Sequence, residues 1–216
     1  PKKLEFTGKE QKYKALAEKI GKTPVLFTGS FQSTSLYNYF TGNESSTLGS
    51  LNVKKTQFDI WQREQNYFGK RVFVEKPNTP RSQKIIDENN INFNGFYVEH
   101  FQTPNRLKIE FELPSEQLKN NQIIPIMIYN PTKNVVNFNH PEIPVTITAV
   151  FLAHRETTDI PTEIEKMPTV LKPGESFKTQ IKINTQKLKA GDYNFGITTN
   201  CILGNAYNSK FVKATV

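Results

Sequence analysis

The sequence predicts two domains of different class. Residues 1–102 read as an α/β domain, a small parallel-type sheet with flanking helices, and residues 103–216 as an all-β immunoglobulin-like sandwich. Three observations lead there. The first hundred residues alternate strand-like and helix-like runs, and a strand, helix, strand, helix, strand order favours a parallel sheet with helices packed on it. Beyond Arg106 there are seven strand-like runs separated by Asn, Pro and Gly turns, with no convincing helix, which is the count and spacing of an immunoglobulin-like sandwich. The 216 residues, 36% hydrophobic and 12% aromatic, can fill two such cores, which excludes wholesale disorder.

Each element has a local cause. Thr7-Gly8-Lys9-Glu10 has the form of a capping box, a hydroxyl and a carboxylate three residues apart. Tyr13, Leu16, Ala17 and Ile20 follow at helical spacing, and Gly21 with Pro24 supplies the stop. Pro24–Thr28 is apolar and short enough for a buried strand; Gly29-Ser30 turns the chain into a helix over Ser33–Phe40. A polar turn from Gly42 to Ser46 leads to an expected strand near Leu48–Val53. Thr56 to Asp59 opens a further helix, with Phe58 and Trp61 on its inner face and Gly69 ending it. Arg71–Glu75 is the next strand. Arg81–Glu88 reads as a short helix and Phe93–Phe101 as an aromatic strand.

In the second half, Leu107, Ile109 and Phe111 alternate with Lys108, Glu110 and Glu112, a strand with one wet face. The other six runs are Gln122–Tyr129, Asn134–Phe138, Val145–Leu152, Ser176–Ile183, Tyr193–Thr199 and Lys210–Val216. Leu171-Lys-Pro-Gly-Glu175 is a tight turn leading into a strand. Leu188-Lys-Ala-Gly-Asp-Tyr193 sets a tyrosine at the start of a strand, as a tyrosine corner requires.

Composition narrows the chemistry. One cysteine, Cys201, excludes an internal disulfide framework and multi-cysteine metal sites, and it reads as a packed structural thiol. His100, His140 and His154 are too far apart in sequence for a local ligand pattern, so no metal and no cofactor is expected. The net charge of +8 suits acidic partners, yet 15 basic and 10 acidic residues before residue 101 and 13 and 10 after it spread the excess. No nucleic-acid recognition module is legible, and nucleic acid is not an expected partner. No run approaches the roughly 20 apolar residues of a membrane span. Pro1 is not an initiator methionine, and Pro1–Phe6 is too polar for a signal-peptide core, so a processed protein or an excised piece is expected.

No nucleophile–base pair, poised carboxylate pair or metal cluster is legible, so no catalytic residue is assigned. Two segments are site-like. In Phe27-Thr28-Gly29-Ser30-Phe31-Gln32-Ser33-Thr34 a strand ends and a helix begins, so amides and hydroxyls converge and could hold an anion; the same residues suit an ordinary loop whose hydroxyls cap the helix. In Lys54–Trp61, the side chains Lys55, Gln57 and Asp59 form a polar edge toward a ligand or a neighbouring domain, framed by the loop Tyr37–Asn43, which includes Tyr39. A capped amphipathic helix with Phe58 and Trp61 in the core is the plainer reading of that segment.

Tyr39-Phe40-Thr41-Gly42, then Ser50-Leu51, then Lys55-Thr56-Gln57-Phe58-Asp59-Ile60-Trp61 resemble a pattern of bacterial polytopic glycosyltransferases. These belong to the dolichyl-phosphate-mannose–protein mannosyltransferase group, which includes the aminoarabinose transferases of lipid A. There a Phe-Tyr-Thr-Gly-like turn precedes an Arg-x-Asn-Gln-Tyr-Asp-Leu-Trp-like run; Lys55, Thr56 and Phe58 depart mildly from it. The likeness covers roughly residues 20–75. It implies a non-catalytic extracytoplasmic (periplasmic) region of a longer membrane protein that transfers a sugar from a polyprenyl-phosphate donor to a lipid or protein acceptor. The implied partners are the transmembrane part of the same polypeptide, the polyprenyl-phosphate sugar donor, and a lipid or glycan acceptor. The alternative is a secreted or surface module that binds glycan or protein, with Phe31, Tyr37, Tyr39, Tyr97 and Phe101 stacking on sugar rings.

Overall fold

The computed structural model describes residues 8–29, 31–48, 60–76, 79–88, 91–153, 156–206 and 208–216. The described residues are mostly β-sheet, with two α-helices, and the chain divides into two compact units, Pro1–Gln102 and Thr103–Val216.

The first unit begins with helix α1, Lys9–Ile20. Gly8, at φ 89°, is its N-cap and no side chain caps it; Glu10 instead pairs with Lys14 at 2.7 Å, and Thr7 lies outside the described residues. Gly21 ends the helix with φ 66° and its amide on the Ala17 carbonyl at 2.9 Å. Then come β1 (Val25–Phe27), α2 (Phe31–Thr41), β2 (Ser45–Thr47), a 3-10 turn (Arg63–Tyr67), β3 (Val72–Glu75), β4 (Gln83–Glu88) and β5 (Ile91–Val98). The strand order is β2-β1-β3-β5-β4. β1 is parallel to both β2 and β3, whereas β5 runs antiparallel to β3 and to β4. The sheet is therefore mixed, three parallel strands extended by a hairpin.

Three sequence expectations change here. The short helix expected over Arg81–Glu88 is strand β4: Ile85 and Ile86 are β-branched, suit a pleated surface and pack against the core. The expected polar turn from Gly42 to Ser46 runs into a strand at Ser45–Thr47, whereas the strand expected near Leu48–Val53 lies, beyond Leu48, outside the described residues. Those hydroxyls tolerate burial because they are bonded: Ser45 Oγ donates to the Thr34 carbonyl (3.2 Å) or Asn38 Oδ1 (2.6 Å), and Thr47 Oγ1 donates to the Phe27 carbonyl (3.0 Å). Trp61, expected in the core, is 53% exposed. Gln62 takes a left-handed conformation (φ 52°, ψ 35°) between helical Ile60-Trp61 and the 3-10 turn, so the expected continuous helix breaks there. The core itself is aromatic. Tyr13 meets Phe27 and Tyr37 edge-on, each at 6.1 Å, and Leu16, Val25, Phe73 and Phe93 close the cluster.

The second unit is antiparallel throughout its main sheet. Its strands are β6 (Lys108–Phe111), β7 (Gln122–Tyr129), β8 (Val136–Asn137), β9 (Thr146–Ala153), β10 (Glu156–Ile164), β11 (Val170–Leu171), β12 (Ser176–Ile183), β13 (Asp192–Cys201), β14 (Gly204–Asn205) and β15 (Val212–Thr215). The order β14-β13-β9-β10-β12-β7-β6, with β15 also on β13, describes one curled sheet. β8 and β11 pair separately.

The sequence reading finds seven of these strands and misses β10, β11 and β14. β10 (Glu-Thr-Thr-Asp-Ile-Pro-Thr-Glu-Ile) buries only Ile160 and carries a proline. That proline marks the bend of the sheet: β10 pairs with β9 as far as Pro161 and with β12 from Thr162 onward. A residue without an amide hydrogen is tolerated where a ladder ends.

The curl lets inward-facing residues from all the long strands share one core: Ile124, Ile126 and Ile128 of β7, Ile181 and Ile183 of β12, Ile147 and Phe151 of β9, Phe195 and Ile197 of β13. The far ends of the sheet are stitched by backbone bonds, Ile109 N–H to Asn208 O (2.8 Å), Leu118 N–H to Thr215 O (2.8 Å) and Thr215 N–H to Glu116 O (2.7 Å).

Both expected turns are present. Gly174, at φ 75°, sits in a turn closed by Glu175 N–H on the Lys172 carbonyl (3.1 Å) and by the Lys172 amide on Glu175 Oε2 (2.8 Å). Tyr193 Oη donates to the Lys189 carbonyl at 2.8 Å, the hydrogen bond of a tyrosine corner.

Candidate functional site

In the first unit the parallel strands have two ends, and each gathers polar groups. At the carboxyl end, where open α/β sheets place ligands, β1 runs into Thr28 and Gly29, while Gln32 lies exposed in the first turn of α2. The Thr28 amide and hydroxyl both donate to the Glu75 carbonyl, at 3.3 and 3.0 Å. These two donors therefore serve to fasten the β1 and β3 ends together rather than to hold an anion. Ser30, Lys55, Gln57 and Asp59 lie outside the described residues. Tyr39 is 82% exposed and stands near the other end of α2, about 10 Å from Gln32 along the helix axis at the usual rise per residue. Thr28, Gly29 and Gln32 are thus neighbours, and Tyr39 is apart from them.

Glu75 is the residue that sequence reasoning missed at this end. It is the last residue of β3, mostly buried, and burial raises its pKa above the usual carboxyl value, partly opposed by the Lys12 ammonium. An acidic residue closing a parallel strand was the available signal.

The amino end holds a cavity of about 430 Å³, lined by Asn38, Gly42, Asn43, Glu44, Ser45, Arg63, Asn66, Tyr67 and Lys70. Three segments build it. The end of α2 supplies Asn38, and Gly42, at φ 65°, turns the chain sharply so that Asn43 and Glu44 follow the rim into β2. The 3-10 turn supplies Arg63, Asn66 and Tyr67, with Lys70 just beyond it.

Some lining groups are already committed. Asn43 Nδ2 donates to the Gly21 carbonyl (3.3 Å) and lies 3.5 Å from Tyr37 Oη, while Asn43 Oδ1 accepts from Lys22 Nζ at 3.1 Å. Others have no hydrogen-bond partner among the described residues: Lys70 Nζ, the Glu44 carboxylate, the Asn66 amide, Tyr67 Oη and Asn38 Nδ2. The Tyr67 ring is buried, and burial together with the nearby Glu44 charge pushes its pKa up to about 12, against the pull of Arg63. Its hydroxyl is therefore a proton donor at neutral pH. The Arg63 guanidinium lies over the Trp61 ring, 5.0 Å from the centroid.

In sequence, the cavity residues fall in two runs, 38–45 and 63–70. The loop Tyr37–Asn43, expected to frame a ligand edge, overlaps the first run; Arg63, Asn66, Tyr67 and Lys70 carry no such signal in the sequence.

No protein-family model matches the chain, and no curated protein matches it. No helix among the described residues is long and apolar enough to cross a membrane, which leaves β-barrel spans unaddressed.

Proposed function

We propose that the chain is a non-catalytic extracytoplasmic region of a membrane glycosyltransferase that moves a sugar from a polyprenyl-phosphate donor to a lipid or protein acceptor. The observation that carries this reading concerns the Tyr39-Phe40-Thr41-Gly42 run, the first part of the resembling pattern. Its glycine turn forms one lip of the polar cavity, with Asn38 before it and Asn43 and Glu44 after it. A segment so built suits recognition of a hydroxyl-rich molecule near the membrane surface. The partners of the reading are the membrane part of the same polypeptide, the polyprenyl-phosphate sugar donor and a lipid or glycan acceptor, on the periplasmic face.

Fractionation of cells carrying a C-terminal epitope tag on the chromosomal gene tests it. The tagged product is expected to stay with the membrane through alkaline carbonate washing and to lose the tag to protease added to spheroplasts. Release of the tagged product by osmotic shock as a free protein would sink the reading and leave the second one, a secreted or surface module for glycan or protein. That alternative draws on the exposure of Tyr39 and Trp61, 82% and 53%, as stacking platforms; Tyr37 and Phe101, also considered for that role, are buried.

For the second unit the finer architecture we propose is an immunoglobulin-like sandwich. The tyrosine corner at Tyr193, the antiparallel pairing and the single shared core support it. An experimental structure in which the two sides of the bend at Pro161 pack face to face about 10 Å apart would fit a sandwich; a continuous ring of paired strands would not.

A further inference from the structure

We propose that the cavity at the amino end of the parallel strands binds a small zwitterion, a free α-amino acid with a polar side chain, between Glu44 and Lys70. This goes beyond the glycosyltransferase reading and does not rest on it. That reading draws on the Tyr39–Gly42 lip, whereas the zwitterion is matched to two charges that face the space. Size permits it, since about 430 Å³ lies within the roughly 300–1,000 Å³ of small-molecule sites.

Glu44 and Lys70 line the cavity together, yet among the described residues neither forms an ion pair, with the other or with a third group. Backbone bonds hold both in place. The Glu44 carbonyl accepts from the Val25 amide at 3.1 Å, which fixes this residue at the entry to β2. The Lys70 amide donates to the Tyr67 carbonyl (2.9 Å), and the Lys70 carbonyl accepts from the Phe101 amide (3.0 Å). A carboxylate and an ammonium are thus presented to one space without closing on each other. Arg63 also lines the cavity, but it is already engaged and lies over the Trp61 ring. A zwitterion brings no net charge, so the match holds with Arg63 kept in its present contacts.

Charge selects the class. A simple anion would pair with Lys70 and meet Glu44 as a like charge; a simple cation would do the reverse. A neutral polyol would leave both charges without a counter-charge. A molecule with its own ammonium and carboxylate satisfies both at once. Its ammonium takes Glu44, with the Asn66 side-chain oxygen and Tyr67 Oη as further acceptors. Its carboxylate takes Lys70, with Asn38 Nδ2 and the Asn66 amide hydrogens as further donors. No lining side chain is aliphatic, so a polar side chain on the ligand fits and an apolar one would gain little.

Titration of the 216-residue chain with L-serine, followed by amide NMR, tests the proposal. Saturable shifts confined to residues 38–45 and 63–70 are expected. The two halves of the probe, ethanolamine and 3-hydroxypropanoate, should each bind about tenfold more weakly or worse, the scale of one lost charge-assisted hydrogen bond. Glucose should also bind more weakly than serine. Glu44→Gln is expected to bring serine down to the level of 3-hydroxypropanoate on the parent, and Lys70→Gln to the level of ethanolamine. Glu44 and Lys70 are exposed, so the variant spectra should otherwise overlay the parent and report binding rather than unfolding. The proposal is overturned if serine gives no saturable shift, if either half or glucose binds as well as serine, or if either variant leaves the affinity unchanged.

Discussion

Asn208 holds Thr199 by both of its donors: Asn208 Oδ1 accepts from the Thr199 amide and from the Thr199 hydroxyl, each at 2.7 Å. The other end of the same carboxamide donates to the carbonyls of Pro104 (3.0 Å) and Leu107 (2.8 Å). One buried side chain thus ties β13 to the segment that leads into β6, with all four of its hydrogen-bonding positions used. Asn208→Ala would leave the two Thr199 donors and the Leu107 carbonyl without these partners, while the Pro104 carbonyl keeps the Leu107 amide at 3.0 Å. A loss of about 3 kcal/mol is expected, read as a lower urea midpoint by circular dichroism, with faster hydrogen exchange at the Thr199 amide. Asn208→Asp keeps the acceptor but loses both donors and buries a charge, so it should destabilise at neutral pH as well. Unchanged exchange at Thr199 in the alanine variant would contradict the assignment.

The tyrosine corner separates a hydrogen bond from packing. The Tyr193 ring meets Phe151 edge-on at 5.6 Å, while its hydroxyl holds the Lys189 carbonyl. Tyr193→Phe keeps the ring contact and loses a partly solvated bond, for a cost of about 1 kcal/mol. Tyr193→Ala also loses the edge-on contact and buried area, and should cost about 3 kcal/mol. Equal urea midpoints for the two variants would show that the ring contributes nothing.

Two glycines sit under aromatic rings, and the structure predicts opposite tolerance. An added methyl at Gly95 in β5 would run into the Val74 carbonyl oxygen and the Phe73 ring. Phe73 is fully buried and the carbonyl belongs to the sheet, so neither can yield cheaply. At Gly196 in β13 the three nearest atoms to an added methyl all belong to the Phe211 ring, the closest at 2.8 Å. Phe211 is half-buried, and the atoms met belong to its side chain rather than to the backbone. Gly95→Ala is expected to cost about 3 kcal/mol and Gly196→Ala about 1 kcal/mol or less. Thermal unfolding of the pair checks the order.

What was legible in the sequence follows from how each element is stabilised. Ile124, Ile126 and Ile128 alternate with outward residues, so β7 announces itself by period. α1 does the same through Tyr13, Leu16 and Ile20. β2 and β10 do not, because polar residues fill them. Ser45 and Thr47 are stabilised by hydrogen bonds to groups distant in sequence, and Pro161 makes sense only where the ladder changes partner. The cavity was half legible: the turn at Gly42 carries a local signal, but Arg63 and Lys70 reach it through a break at Gln62 that helical periodicity conceals. Thr28 looked like an anion ligand in sequence because its hydrogen-bond acceptor, the Glu75 carbonyl, is on another strand.

The last prediction concerns Glu75. Burial raises its pKa in the folded chain, and the Lys12 ammonium pulls the other way without cancelling the shift. Between the ordinary carboxyl value and this raised one, the folded chain holds more protons than the unfolded chain, so stability falls as pH rises through that window. The contribution is fully present below the unfolded pKa and is lost above the folded one. Glu75→Gln cannot ionise and escapes the loss, while the Thr28 bonds survive because they go to the backbone carbonyl. The variant should therefore gain on the parent as pH rises from the ordinary carboxyl value through the raised one, read as a widening difference in urea midpoint. Lys12→Met removes the opposing charge and should steepen the parent's decline over the same range; its ammonium also lies over the Phe93 ring at 4.6 Å, so a uniform, pH-independent offset is expected alongside. A constant difference between Glu75→Gln and the parent across that range would mean that burial does not disfavour the carboxylate.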